Sequence, residues 1–182
     1  QQAALRYCKW LYQKTGRFFR LPTEAEWEYA CLASKEDPHQ EELPDYAWLF
    51  ENGEEVFHKT GLKKPNHWGL YDMLGNVGEW TLDHYQADYF EQIGDWPEDP
   101  WIEPTRKHSR TVRGGHYDTD LADAGCRVRK KSQAKWQARD PQIPKSKWWN
   151  VDSPFIGFRI VSPTQQPSAE VINVFFQKAI ID

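Results

Sequence analysis

Residues 66–80 read Asn-His-Trp-Gly-Leu-Tyr-Asp-Met-Leu-Gly-Asn-Val-Gly-Glu-Trp, and no other stretch limits the fold as much. Its three glycines work against a helix, and its aromatics and acids do not alternate as they would along an ordinary strand. The stretch therefore reads as an ordered loop pinned by aromatic anchors. Two carboxylates, Asp72 and Glu79, bracket the Gly75 and Val77 carbonyls, an oxygen-only set of the kind a hard cation prefers. Short loops of acids and glycines also serve as plain turns. Spacing alone leaves both readings open.

The rest of the chain suits a loop-rich design. Ten Trp, eight Tyr and nine Phe accompany a mean hydropathy of −0.84. A core of few, large side chains with long polar loops between them satisfies both numbers. At 182 residues one domain with a good core is expected. No apolar run approaches the roughly 20 residues of a membrane span. No signal-peptide pattern is present either.

The net charge of −4 is unevenly spread. Residues 1–105 carry 9 basic and 20 acidic side chains, whereas 106–147 carry 12 basic and 4 acidic ones. A nucleic-acid-binding domain is expected to be basic overall, which argues against that class. The basic segment is expected to pack against the acidic body, or to line a site for an anionic group. Cys8, Cys31 and Cys126 are three, so at least one is unpaired within the chain. No C-x-x-C or Cys/His ligand spacing points to zinc. Cys8, on the apolar face of a helix, and Cys31, near the end of another, are expected to be buried structural thiols.

Over residues 2–15, Ala4, Leu5, Cys8, Leu11 and Tyr12 recur at helical spacing, and Gly16 stops the run. Thr23 with Glu26 forms a capping box, which starts a second helix over 23–33 with Trp27 and Ala30 on its inner face. Residues 34–45 read as a surface loop, and 84–109 as a long, acidic, proline-containing one. Strands are expected at 111–113, 126–130 and 158–161, with Gly114-Gly115 permitting a turn that a side chain would obstruct. Residues 132–154 form a Trp-rich excursion. Ser168 then caps a short amphipathic helix carrying Val171, Ile172, Val174 and Phe175.

Three segments carry a family resemblance. The first is Arg17-Phe-Phe-Arg-Leu-Pro-Thr-Glu-Ala-Glu-Trp-Glu-Tyr-Ala30, and the second runs from Trp68 to Trp80. The third leads from Arg113-Gly114-Gly115 through Cys126-Arg127-Val128-Arg129 to Ile156-Gly157-Phe158-Arg159-Ile160-Val161. In this order, and over roughly residues 3–162, they resemble the formylglycine-generating-enzyme, or sulfatase-modifying-factor, family. The resemblance implies an α+β, C-type-lectin-like fold with little regular secondary structure. It also implies a domain over 1–163 whose N-terminal part is missing, followed by a C-terminal extension over 164–182. Finally, it implies a structural Ca²⁺ held by the Asp72 side chain, the Gly75 and Val77 carbonyls, and Glu79.

Catalytic members of that family bind Cu(I) through two cysteines in the segment after the Gly-Gly motif, and soft thiolates suit that ion. Here Thr119 stands at the first position, and Ala124, or Asp123 after a one-residue deletion, at the second. Cys126 falls beyond the pair. No copper is expected, and formylglycine-generating activity is expected to be lost. The leading expectation is a non-catalytic binding or scaffold module outside the cytoplasm, periplasmic or at the cell surface. Its expected partner is a protein or assembly, such as a secretion or surface complex. Related gliding-motility and type IX secretion lipoproteins serve in that way. The alternative is a metal-dependent oxidoreductase whose iron or copper site is rebuilt from His116, Asp118, Asp120 and Asp123. A ligand groove is expected around Arg113, His116, Tyr117, Arg127, Trp136, Arg139, Trp148 and Trp149. Arginine offers a planar fork to carboxylate or sulfate, and tryptophan a face to a sugar or peptide.

Overall fold

The computed structural model describes residues 1–35, 38–95, 98–137 and 153–181. Helix α1 (Gln2–Thr15) ends where Gly16, at φ 71°, donates its amide to the Tyr12 carbonyl. Ala4, Leu5 and Cys8 face inward. Helix α2 (Glu24–Leu32) starts on the expected capping box. Thr23 Oγ1 accepts from the Glu26 amide at 3.2 Å, and the Glu26 carboxylate accepts from the Thr23 amide at 2.8 Å. Trp27 is fully buried on its inner face, whereas Ala30 is only partly covered.

A four-stranded sheet stands behind α2, in the order β3-β2-β1-β4. It comprises β1 (Gly78–His84), β2 (Arg110–Arg113), β3 (Arg129–Lys131) and β4 (Ile156–Gly157). Strand β1 runs antiparallel to β2, with Glu79 opposite Arg113 and His84 opposite Arg110, and the register shifts between Trp80 and His84. It runs parallel to β4. Every residue of β1 except Trp80 is buried. A strand covered on both faces shows no alternation, which is why its sequence resembles a loop.

Two strand expectations are corrected. The one at 126–130 shrinks to 129–131, because Cys126 is tied elsewhere: its sulfur to Cys31 and its carbonyl to Arg113 Nη2 at 2.7 Å. The one at 158–161 becomes β4, followed by a single bridge between Arg20 and Val161. The segment expected as a surface loop contains helix α3 (Leu43–Tyr46), which turns Leu43 into the core. The 84–109 loop contains helix α4 (Tyr89–Ile93), which buries Tyr89. Helix α5 (Ala169–Ala179) begins with Ser168 Oγ accepting from the Val171 amide, and it packs against α1. Its inner face is Ile172, Phe176 and Ala179, while Val171 and Val174 are exposed. Residues 164–181 are thus part of the body: Phe18 meets Phe175 and Phe176 edge-on at 5.2 and 5.8 Å.

Much of the chain is ordered without ladders because Asn and Asp side chains act as surrogate backbone. Asn66 Oδ1 accepts from the amides of Trp68 and Leu70, and its Nδ2 donates to the Ala30 and Cys31 carbonyls. Asn76 clasps both the amide and the carbonyl of His58. Asn52 does the same work for Leu49, Pro44 and Ala47. Gly75, at φ 68°, gives its amide to Gly114, and a Cβ there would lie 2.2 Å from the Trp48 carbonyl oxygen. Only glycine permits that crossing of three loops.

Candidate functional site

The loop that constrained the sequence reading passes directly into β1, and Trp27 of α2 is the post against which it is fixed. Trp27 Nε1 donates to Glu79 Oε2 at 2.7 Å, while its ring lies beneath the Arg113 guanidinium, 5.4 Å from the centroid. Arg159, just after β4, forks onto the same carboxylate: Nε to Oε2 at 2.5 Å and Nη2 to Oε1 at 2.8 Å. Its Nη2 also reaches the carbonyls of Tyr71 and Asp72. Asp72 adopts a left-handed φ of 52°, which short polar residues tolerate, and is 9% exposed. Its Oδ2 accepts from the Gly61 amide at 2.8 Å and its Oδ1 makes a 3.5 Å contact with Asn76.

Acceptor capacity for a hard cation remains on Asp72 and, more narrowly, on Glu79. Asp72 is buried and pairs with no Lys or Arg among the described residues. Glu79 has used both acceptor directions of Oε2 but only one of Oε1. The Arg159 charge offsets one of the two carboxylates, so a cation here would meet a net single negative charge.

Behind the post lies a buried ion cluster that sequence reasoning missed. Glu24 and Arg113 have fully buried side chains and pair at 3.0 Å. Arg113 also bonds Glu28, and Glu24 takes a second guanidinium from Arg129, whose Nη2 lies 3.1 Å from Oε2. Arg129 is roofed by the rings of Tyr85, Tyr89 and Phe90. Two acids and two arginines thus neutralise one another, and the Arg113 assigned to a groove is structural. Asp83 supports the same helix by accepting from the amides of Glu24 and Ile102 at 2.6 and 2.8 Å. Burial raises its carboxyl to about 7, against the lowering effect of those amides. The motif Leu21-Pro22-Thr23-Glu24 marked a helix start, but nothing in its spacing tells a buried acid from a solvated one.

In the segment after Gly114-Gly115, Thr119 is buried, and its Oγ1 accepts from the His116 amide at 3.0 Å. Its carbonyl accepts from Phe50, and its amide donates to the His116 carbonyl. Ala124 packs against the buried cluster that includes Trp27, Leu49 and Met73. Cys126 is joined to Cys31 across 95 residues, which corrects the reading of Cys31 as a thiol. Cys8 does remain a buried thiol, raised to about 11 by burial. His116 packs on Phe155 with its ring tilted by 33°, centroids 4.5 Å apart, and Trp136 meets the same ring edge-on at 5.5 Å. Burial, then Lys130, lowers the His116 pKa to about 4, with Asp118 opposing.

Asp118, Asp120 and Asp123 are exposed, and no three His, Cys, Asp or Glu side chains among the described residues are grouped to hold a metal. Of the groove candidates, His116 and Trp136 meet at Phe155, Tyr117 lies edge-on to His116 at 5.9 Å, and Arg127 is exposed. Arg139, Trp148 and Trp149 lie outside the described residues.

The sulfatase-modifying factor enzyme 1-like domain matches residues 1–163. The chain belongs to this family. The formylglycine-generating enzyme of Mus musculus is 34% identical over 131 residues, covering 63% of this chain and 32% of that protein. The inactive C-alpha-formylglycine-generating enzyme 2 of Bos taurus is 29% identical over 182 aligned positions, covering 91% and 49%. A serine/threonine-protein kinase pkn1 of Chlamydia pneumoniae is 35% identical over 129 residues, covering 69% of this chain but only 19% of the kinase. The chain therefore spans less than half the length of each of these relatives. Among solved structures, Treponema denticola variable protein 1 superposes with a TM-score of 0.61 at 30% identity, covering 79% of this chain and 47% of that one. PvdO from Pseudomonas aeruginosa gives 0.66 at 22% identity over 86% and 57%, a likeness of fold alone. The α+β arrangement of few helices around one small sheet is thus the family's own. No helix among the described residues is long and apolar enough to cross a membrane.

Proposed function

We propose that the chain is a non-catalytic binding or scaffold module of the sulfatase-modifying-factor family, working in an oxidising compartment outside the cytoplasm. The observation that carries this reading is Thr119. A hydroxyl that closes the 116–119 turn stands where copper chemistry needs a thiolate, and Ala124 stands at the second position. Neither side chain ligates Cu(I). The Cys31–Cys126 disulfide supports the compartment, since such bonds persist where the surroundings are oxidising. Exposed aromatics support a binding role: Tyr29 and Trp68 meet at 4.9 Å, and Tyr7, Trp10 and Phe158 form a second outward cluster. The partner we favour is accordingly a protein or assembly. We include a structural Ca²⁺ held by Asp72, Gly75, Val77 and Glu79 in this reading. The rebuilt iron or copper site at His116 draws no support, because the three aspartates beside it face solvent.

The test is direct. Protein incubated with Cu(I), oxygen and a Cys-x-Pro-x-Arg peptide is expected to yield no aldehyde. Turnover of that peptide would overturn the reading.

A further inference from the structure

Strands β1 and β2 set His84 directly opposite Arg110, so both side chains lie on one face of the sheet. They are 4% and 2% exposed. Nη1 and Nη2 of Arg110 and Nδ1 of His84 have no hydrogen-bond partner among the described residues. Only the Arg110 Nε is engaged, donating to the Lys107 carbonyl at 3.4 Å. A buried guanidinium needs acceptors for its fork, because an uncompensated buried charge is strongly destabilising. The acid whose field it feels, Asp83, has its oxygens occupied by the amides of Glu24 and Ile102, and the Gln1 α-amino group that also feels Arg110 is no acceptor for the fork while protonated. With its carboxyl held near 7 by burial, Asp83 supplies only part of a negative charge at neutral pH. The other charges acting on His84 are positive: Arg110, Arg106 and Lys131. Arg106, Lys107 and Lys131 are exposed, and all three belong to the basic island of an otherwise acidic chain.

We propose that the Arg110–His84 pair is a binding site for a small tetrahedral oxyanion, the phosphate or sulfate group of a free ligand. A guanidinium can give two parallel N–H donors to two oxygens of such a group, and the Nδ1–H tautomer of His84, on the same sheet face, can give a third. The cations at the rim give a surplus of positive charge that suits a dianion better than a single carboxylate. Nothing in this assignment depends on the lost copper chemistry or on calcium.

Thermal melts of the intact protein in inorganic phosphate, and separately in sulfate, against chloride at equal ionic strength test it. A saturable rise in Tm is expected with either dianion, about 5–10 °C at a hundredfold excess over Kd. Arg110→Met should abolish the rise. Should that variant fail to fold, Arg106→Gln with Lys131→Gln changes only exposed side chains and should move half-saturation about threefold to tenfold higher. A rise that does not saturate, and that survives in either variant unchanged, is general salt exclusion and overturns the site. No rise in either dianion overturns it as well.

Discussion

Glu24→Gln removes one negative charge from the buried cluster and leaves the shape of the side chain intact. The native cluster is neutral, with Glu24 and Glu28 facing Arg113 and Arg129. The variant strands one positive charge among the rings of Trp27, Tyr85, Tyr89 and Phe90. Breaking a buried pair by removing one partner typically costs about 3–5 kcal/mol. Arg113 keeps Glu28 and the Cys126 carbonyl, so the lower end, about 3 kcal/mol, is expected here. For a chain of 182 residues that is a fall in Tm of about 6–12 °C. Melts followed by circular dichroism, with urea titrations under oxidising conditions, measure it. Lys64→Gln, which breaks a pair in open solvent, serves as control and should leave the melt unchanged. A Glu24→Gln melt within about 2 °C of wild type would mean that water already screens the cluster. The account of α2 as the fixed post of the fold would then fail.

Calcium is expected to bind weakly, in the range of about 10⁻⁴–10⁻³ M typical of extracellular modules, because Arg159 offsets part of the charge of the loop. Ten-to-hundredfold excess should add about 1.4–2.7 kcal/mol, seen as a higher Tm that chelator reverses in wild type but not in Glu79→Gln. Removing the disulfide by Cys31→Ser with Cys126→Ser opens a loop of 95 residues, and a loss of about 2–5 kcal/mol in urea titrations is expected. Between pH 4 and 7 His116 and Asp83 act in opposite senses. His116 is lowered from 6.5 to about 4, so the unfolded chain binds more protons there and stability rises with pH. Asp83 is raised from 3.8 to about 7, so the native state binds more and stability falls with pH. Relative to wild type, urea midpoints across this window should rise less steeply with pH in His116→Gln and more steeply in Asp83→Asn; profiles parallel to wild type would refute the assignment.

The sequence made some of this legible and hid the rest for physical reasons. Local signals were readable: the Gly16 stop, the Thr23–Glu26 capping box and the Gly114-Gly115 turn all depend on neighbours within a few residues. Strand β1 was not, because burial on both faces removes the period-two pattern that identifies a strand. The disulfide joins positions 95 apart and has no local signature. Arg113 was legible as a lone cation beside a glycine pair, and only tertiary structure reveals that Glu24, from a helix 89 residues earlier, has already claimed it. In the groove, the aromatic character of His116, Tyr117 and Trp136 was readable, but the Phe155 ring that gathers His116 and Trp136 was not.

On the proposed reading, the two positions that lack cysteine are also tied into the packing around them. Thr119 closes its turn through main chain and side chain alike, and its carbonyl also holds the Phe50 amide at 3.0 Å. A cysteine at 119 would exchange a good hydroxyl acceptor for a weak sulfur one, a loss of about 1 kcal/mol for a half-buried amide. At 124 a thiol would have to enter the apolar cluster that Ala124 now completes with Trp27, Leu49 and Met73. Meanwhile Cys126, at the end of the segment, is bound through Cys31 to α2. Each of these contacts adds rigidity, which accords with the scaffold role proposed for the module.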